Sequence, residues 1–279
     1  MKTSKLTLTL QAALFLGALS TASAHIGYTG RNFGTYSGTD LTSTIINQRV
    51  SGEHGWADAT DANLGDTHKT RAFRFSLTSN AWVTLSFQGL AYTSGGSSFT
   101  ALALPAFSLY RGVAAASTHD FSAISTAWRD ATYGTNATEG SLNALGDWKI
   151  GSDAGTTFAD LSSFTYIGNA ADGSSANYGT PAPSLTLTDG SNVPNGTING
   201  DGNADGVVSG SFYLSAGDYS VFVGGANYAG VNTNTSYGIQ GTFTAVPEPS
   251  TWALLTVSLA MVGLVIRAKQ KKVGQSVQL

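Results

Sequence analysis

The sequence contains no cysteine. That one absence removes disulfide scaffolds, thiolate zinc sites, iron–sulfur clusters and cysteine nucleophiles together. Charge is scarce too: only 11% of residues are Asp, Glu, Lys or Arg, with 14 cations against 17 anions. Nucleic-acid binding needs a basic surface to neutralise phosphates, so the balance argues against it. No Gly-x-Ser-x-Gly elbow, His-Glu-x-x-His helix or Gly-x-x-x-x-Gly-Lys phosphate loop occurs. A triad or carboxylate pair assembled only in space leaves no such trace, so a hydrolase stays open as an alternative.

What is present is clearest at the two ends. Lys2 and Lys5 precede an apolar run from Leu6 to Leu19, and Ala22-Ser23-Ala24 supplies the small residues a signal peptidase accepts. About fourteen apolar residues rising 1.5 Å each fall short of a roughly 30 Å hydrocarbon core, so 1–24 reads as a cleaved signal helix, cut after Ala24. At the other end Val246-Pro247-Glu248-Pro249-Ser250 leads into an apolar segment from Trp252 to Ile266, followed by Arg267, Lys269, Lys271 and Lys272. The prolines hold the backbone extended, and the basic cluster favours the cytoplasmic side of a membrane. A transmembrane helix over 252–266 is predicted, with the body outside.

This order of Pro247-Glu248-Pro249, one apolar helix and a terminal cationic cluster resembles the PEP-CTERM sorting signal over about the last thirty residues. The resemblance implies an exported protein of a Gram-negative, polysaccharide-producing bacterium. It also implies an exosortase-type membrane protease as partner, and a destination at the cell surface or in the extracellular matrix.

Between the signals, 25–245 reads as one exported body. His25 to Val246 holds eight lysines and arginines against sixteen acids, a balance of −8. Phe73, Phe75 and Leu77 alternate with polar residues, as do Ala81, Val83, Leu85 and Phe87, which predicts half-buried strands. Further strands are predicted at Ala106–Tyr110, Ser184–Thr188, Gly210–Leu214, Asp218–Val223 and Tyr237–Thr244, with Ser215 to Asp218 as a tight hairpin. A short helix is predicted near Ser122 to Trp128. Short strands among 34 glycines predict an all-β fold, a Gly-rich antiparallel β-sandwich with jelly-roll or related topology. The stretches Gly55–Phe75 and Ala216–Gly225 resemble bodies recurring among PEP-CTERM proteins and bacterial pre-peptidase C-terminal domains. That likeness implies a sandwich fold and surface exposure, not a reaction.

Candidate sites are few. Asp201-Gly-Asn203-Ala-Asp205-Gly206 places oxygens at loop positions one, three and five and glycine at six, the first half of a calcium loop. Position twelve falls on Phe212 instead of a carboxylate, so calcium would need Ser209 or Ser211 and a remote acid, and a plain Asn/Asp/Gly turn is the favoured reading. Asp58, Asp61 and Asp66 form a second acidic cluster without metal spacing. Cleavage after Ala24 would give His25 a free amine beside its imidazole. With His54, His68 or His119 it could hold copper, the one respect in which the chain resembles the histidine brace of lytic polysaccharide monooxygenases. Trp56, Tyr92, Tyr110, Trp128, Trp148 and Tyr228 are candidates for stacking on sugars. The reading favoured is a non-enzymatic structural or binding protein of a polysaccharide or biofilm matrix. Its alternatives are a secreted polysaccharide-active enzyme and a carbohydrate-binding module.

Overall fold

The structure, a computed structural model, describes residues 26–57, 64–114, 123–133, 140–151, 157, 161–173, 175–177, 197–227, 235–247, 259–262 and 267. The strands are β1 (Asn32–Tyr36), β2 (Leu41–Ser51), β3 (Gly65–Asp66), β4 (Arg71–Leu77), β5 (Ala81–Gly89), β6 (Tyr92–Ser94), β7 (Ser97–Ala101) and β8 (Pro105–Arg111). After helix α1 (Ala123–Tyr133) come β9 (Ser141–Leu142), β10 (Trp148–Ile150), β11 (Ser162–Ala171), β12 (Ser175–Asn177), β13 (Thr197–Asn199), β14 (Val207–Leu214), β15 (Gly217–Gly225) and β16 (Ser236–Pro247). Among the described residues, those of 26–247 form an all-β fold with one helix, α1, in keeping with the strand alternation. The helix covers and extends the segment predicted around Ser122 to Trp128.

Two six-stranded sheets face each other. One has the order β1-β4-β15-β8-β11-β10; the other runs β14-β5-β16-β7-β6, with β2 on the free edge of β16. Most pairs are antiparallel, but β1–β4 and β16–β7 are parallel, so the sheets are mixed and not purely antiparallel. The chain leaves β1 for the second sheet, builds β2 there and returns to β4 in the same direction, a crossover that a hairpin cannot make.

The alternation of β4 and β5 fills the space between the sheets. Phe73, Phe75 and Leu77 meet Val83, Leu85, Phe87 and Phe243 there. The first sheet buries its other face as well: Ala106, Tyr110 and Phe222 pack against Trp56, Leu142, Trp148 and Phe164, with Trp128 of α1 at the edge. Trp148 stacks on Phe164 at 4.5 Å between centroids, and both meet Phe222 edge-on. This third layer is docked by polar anchors. Trp56 Nε1 donates to Ser108 Oγ at 2.7 Å, and Tyr110 Oη donates to the Asn143 carbonyl at 2.6 Å.

The predicted hairpin at Ser215 to Asp218 is a crossing between sheets. β14 pairs with β5 in one sheet, whereas β15 pairs with β4 and β8 in the other. The Thr78-Ser79-Asn80 corner crosses likewise, and the two corners touch: Asn80 Oδ1 accepts the Ala216 N–H at 3.3 Å, and Asn80 Nδ2 donates to Tyr213 Oη at 3.1 Å. Turn chemistry is the same for a hairpin and a crossing, and only the strand partners tell them apart. The strand predicted at Ser184–Thr188 lies outside the described residues.

Residues 259–262 are helical, with Leu259, Met261 and Val262 exposed, and no helix among the described residues is long and apolar enough to cross a membrane. Most of the predicted span 252–266 lies outside the described residues, as does the signal segment 1–24.

Phe222→Ala should cost about 3–5 kcal/mol in urea unfolding, because it opens the layer between sheet and loops. Trp82→Ala, on the exposed face of the second sheet, should cost less than about 1 kcal/mol.

Candidate functional site

The calcium-like loop is a built corner joined to β11. Asp201 N donates to the Ala171 carbonyl at 3.0 Å, Gly202 N to that of Gly173 at 3.0 Å, and Gly173 N to that of Asn203 at 2.8 Å. The side chains of Asp201 and Asp205 close Asx turns, accepting from Asn203 N and Val207 N at 3.0 Å each. Gly206 takes a φ of +78°, the left-handed geometry that the sharp turn at position six requires. Beyond it β14 begins, so position twelve, Phe212, packs against Phe107 and Ser211 faces Thr84 at 2.8 Å on the outer face.

A remote acid is present at this corner. Asp172 is 1% exposed and accepts from Gly206 N at 2.8 Å and from Asp205 N at 3.3 Å. Burial pushes its carboxyl above the usual range; the two backbone donors oppose this, and the charges of Asp201 and Asp205 add to it. Local spacing cannot reveal Asp172, because β11 brings it from earlier in the chain. Among the described residues no three His, Asp or Glu side chains gather closely enough to hold a metal ion.

The second acidic cluster is only partly described: Asp58 and Asp61 lie outside the described residues. Asp66 is buried in β3, where its Oδ1 accepts from His68 N at 2.8 Å and lies 2.9 Å from His68 Nδ1, with Lys69 Nζ 3.4 Å from Oδ2. Burial raises this carboxyl, but the His68 hydrogen bonds and the charges of His68 and Lys69 outweigh it and hold it below the usual range. Asp66 is thus a paired interior acid, not a solvated charge. His54 pairs through its backbone with Ala226. His25 and His119, needed for the copper reading, lie outside the described residues, as do Ala22, Ala24, Glu248, Pro249, Lys269, Lys271 and Lys272. Pro247 ends β16, and Arg267 is exposed.

Three of the six predicted sugar-stacking rings are core: Trp56, Tyr110 and Trp148 are buried in the third layer, where large rings fill the gap over the first sheet. Tyr228 lies outside the described residues. Among the described residues the exposed aromatics are Trp82 and Tyr213, at 47% and 45%, with rings 5.6 Å apart on the outer face of the second sheet. Around them that face carries uncharged cross-strand pairs: Thr42–Thr244, Thr44–Thr242, Thr84–Ser211 and Gln88–Gln240.

Sequence reasoning also misses a cationic cleft of about 420 Å³ at the edge of the sandwich. Arg31, Arg49 and Arg71 line it, with Asn47 on one side and Tyr92 and Phe99 on the other. Arg71 Nε donates to the Arg49 carbonyl at 2.6 Å, and Arg31 Nε to that of Ala72 at 2.9 Å. The Arg49 guanidinium lies 5.6 Å from the centroid of Phe99, which stacks on Tyr92 at 4.8 Å. Burial, reinforced by the charges of Arg31 and Arg49, lowers Arg71 to about 10. Only three of eight body cations converge here, from positions forty residues apart, and no local motif marks them.

No family model matches the sequence, and no curated protein matches it. Among solved structures the chain is similar to CorA, a surface-associated copper-binding protein important in copper acquisition by Methylomicrobium album BG8. Identity is 15%, covering 75% of this chain and 96% of that one, with a TM-score of 0.42. It is also similar to MopE, a secreted protein of Methylococcus capsulatus in which an oxidized tryptophan facilitates copper binding. There identity is 17% over 78% of this chain and 87% of that one, with a TM-score of 0.39. Likeness at this level bears on neither site nor ligand.

The two buried acids should show opposite pH signatures. Asp66, held low, contributes stability that is present above its unfolded value and lost as pH falls through the folded one; Asp172, held high, contributes most below its unfolded value and loses it as pH rises. Asp66→Asn should therefore cost most at neutral pH and less near pH about 2. The stability difference between wild type and Asp172→Asn should move the other way. Urea unfolding at both pH values measures the two trends.

Proposed function

We propose that this chain is an exported protein of the PEP-CTERM kind, directed by exosortase-type sorting to the cell surface or extracellular matrix. Its body then has a non-enzymatic structural or binding role among polysaccharides. The observation that carries this reading is where the fold stops. Pro247 is the last residue of β16, in register with Ala81 of β5, and it is exposed. The tail motif therefore begins at the residue where sheet pairing ends. A protease acting beyond Pro247 would remove no strand from either sheet.

The surfaces support a binding role more than a reaction. The outer face of the second sheet offers hydroxyls, amides and two exposed rings, groups that suit sugar hydroxyls and the apolar faces of sugar rings. Calcium at the Asp201–Gly206 corner would be an accessory to this role, since that corner already closes with protein hydrogen bonds.

Intact mass and terminal sequencing of the protein from its native host, in membrane and secreted fractions, test the proposal. The secreted chain should begin at His25 and end close after Pro247. A chain that keeps Leu279 in every fraction would sink the sorting assignment. Independently, a stop codon after Glu248 should leave the melting temperature of the purified protein unchanged.

A further inference from the structure

The cleft at Arg31, Arg49 and Arg71 is electrostatically uncompensated. Among the described residues none of the three has a carboxylate partner, although the body carries twice as many acids as bases. Crowded like charges oppose one another, and a fold gains nothing from keeping them together unless something else answers them. Each half-buried member is fixed on one edge by a main-chain carbonyl: Arg71 by that of Arg49, Arg31 by those of Ala72 and Gly27. A guanidinium has five N–H donors, so donors remain on each for a ligand. Arg49 is exposed and rests on the Phe99 ring, with no hydrogen bond from its guanidinium among the described residues.

The backbone is bent to place it there. In the β2–β16 ladder Ile45 faces Gly241 and Gln48 faces Ile239, so two residues of β2 oppose one of β16. Within this bulge Asn47 takes a φ of +56°, the only left-handed non-glycine among the described residues. Before it Leu41, Ser43 and Ile45 turn inward; after it Gln48 and Val50 do. Unbroken alternation would have sent Arg49 to the inner face. The bulge reverses the phase and brings Asn47 and Arg49 to the cleft, the kind of re-aiming for which bulges are used beside functional sites.

We propose that this cleft binds a carboxylated sugar, a uronate unit of an acidic glycan. The carboxylate meets the arginine forks. Asn47, Ser94 and Ser97 line the same space and can exchange hydrogen bonds with hydroxyls, and the Tyr92–Phe99 pair offers an apolar facet for a ring face. The volume falls in the range of small-molecule sites and exceeds what a bare inorganic anion fills. The inference rests on the proposed matrix role only for the source of the sugar; the cleft itself stands apart from how the tail is processed.

Isothermal titration of the full-length protein in detergent with digalacturonate, neutral galactobiose and inorganic phosphate tests it. Digalacturonate should bind, more weakly as sodium chloride is raised, and galactobiose and phosphate should bind at least about tenfold more weakly. Arg49→Gln should weaken digalacturonate about tenfold or more with an unchanged melting temperature, while Arg129→Gln on α1 should leave binding unchanged. No digalacturonate binding, equal binding of galactobiose, phosphate binding as tight as digalacturonate, or full affinity in Arg49→Gln would each overturn the assignment. None of these outcomes alters the terminal sequences found in the host, so the two proposals fail separately.

Discussion

The structure depends on β15 being buried on both faces and paired on both edges. Val221 stands between Phe73 of β4 and Leu109 of β8 and points into the space between the sheets. Its neighbour Phe222 stands between Ala72 and Ser108 and points the other way, into the third layer. A slip of one residue would exchange the two cores, so the register is fixed from both sides at once. At the end of the strand the chain comes so close that a Cβ on Gly225 would lie 2.0 Å from the Glu53 carbonyl oxygen. The third layer is thus seated directly on the sheet, and Ser108, Tyr110 and Ser220 are the polar points that hold it.

That arrangement explains what could be read from the sequence. Strands β4, β5, β14 and β16 carry visible alternation because one face of each meets the core and the other meets solvent or polar neighbours. β8 and β15 appear in the sequence as short apolar runs, which mark a strand without saying that both faces are covered. β2 escaped notice because its bulge breaks the period that would have announced it. The Asp201–Gly206 corner was readable from local spacing, while Asp172 and the three-arginine cleft exist only through strand pairing.

Three buried or half-buried charge clusters show three ways of handling charge in a body with few charges. Asp66 is answered by His68 and Lys69 and is stabilised as an anion. Asp172 is answered only by two backbone N–H groups, with further acids beside it. Arg31, Arg49 and Arg71 crowd together, with main-chain carbonyls as acceptors for Arg31 and Arg71 and the Phe99 ring beneath Arg49. The first cluster is self-sufficient as a structural element; among the described residues the other two are left short of opposite charge, one as an acid held by backbone N–H groups and one as three crowded cations.

Strand β16 also sets the distance between the cleft and the tail. Gly238 pairs with Arg49 at one end of the strand, and Pro247 pairs with Ala81 at the other. Nine residue steps of an extended strand, at about 3.4 Å each, separate them by roughly 30 Å. If, as proposed, the chain is tethered beyond Pro247, the cationic cleft lies at the opposite end of the strand from the attachment. The exposed Trp82–Tyr213 pair stands at the tail end instead, beside Val246. One strand thus separates an exposed aromatic surface beside its C-terminal end from a charged one near its start, so the two surfaces are independent features of the same sheet.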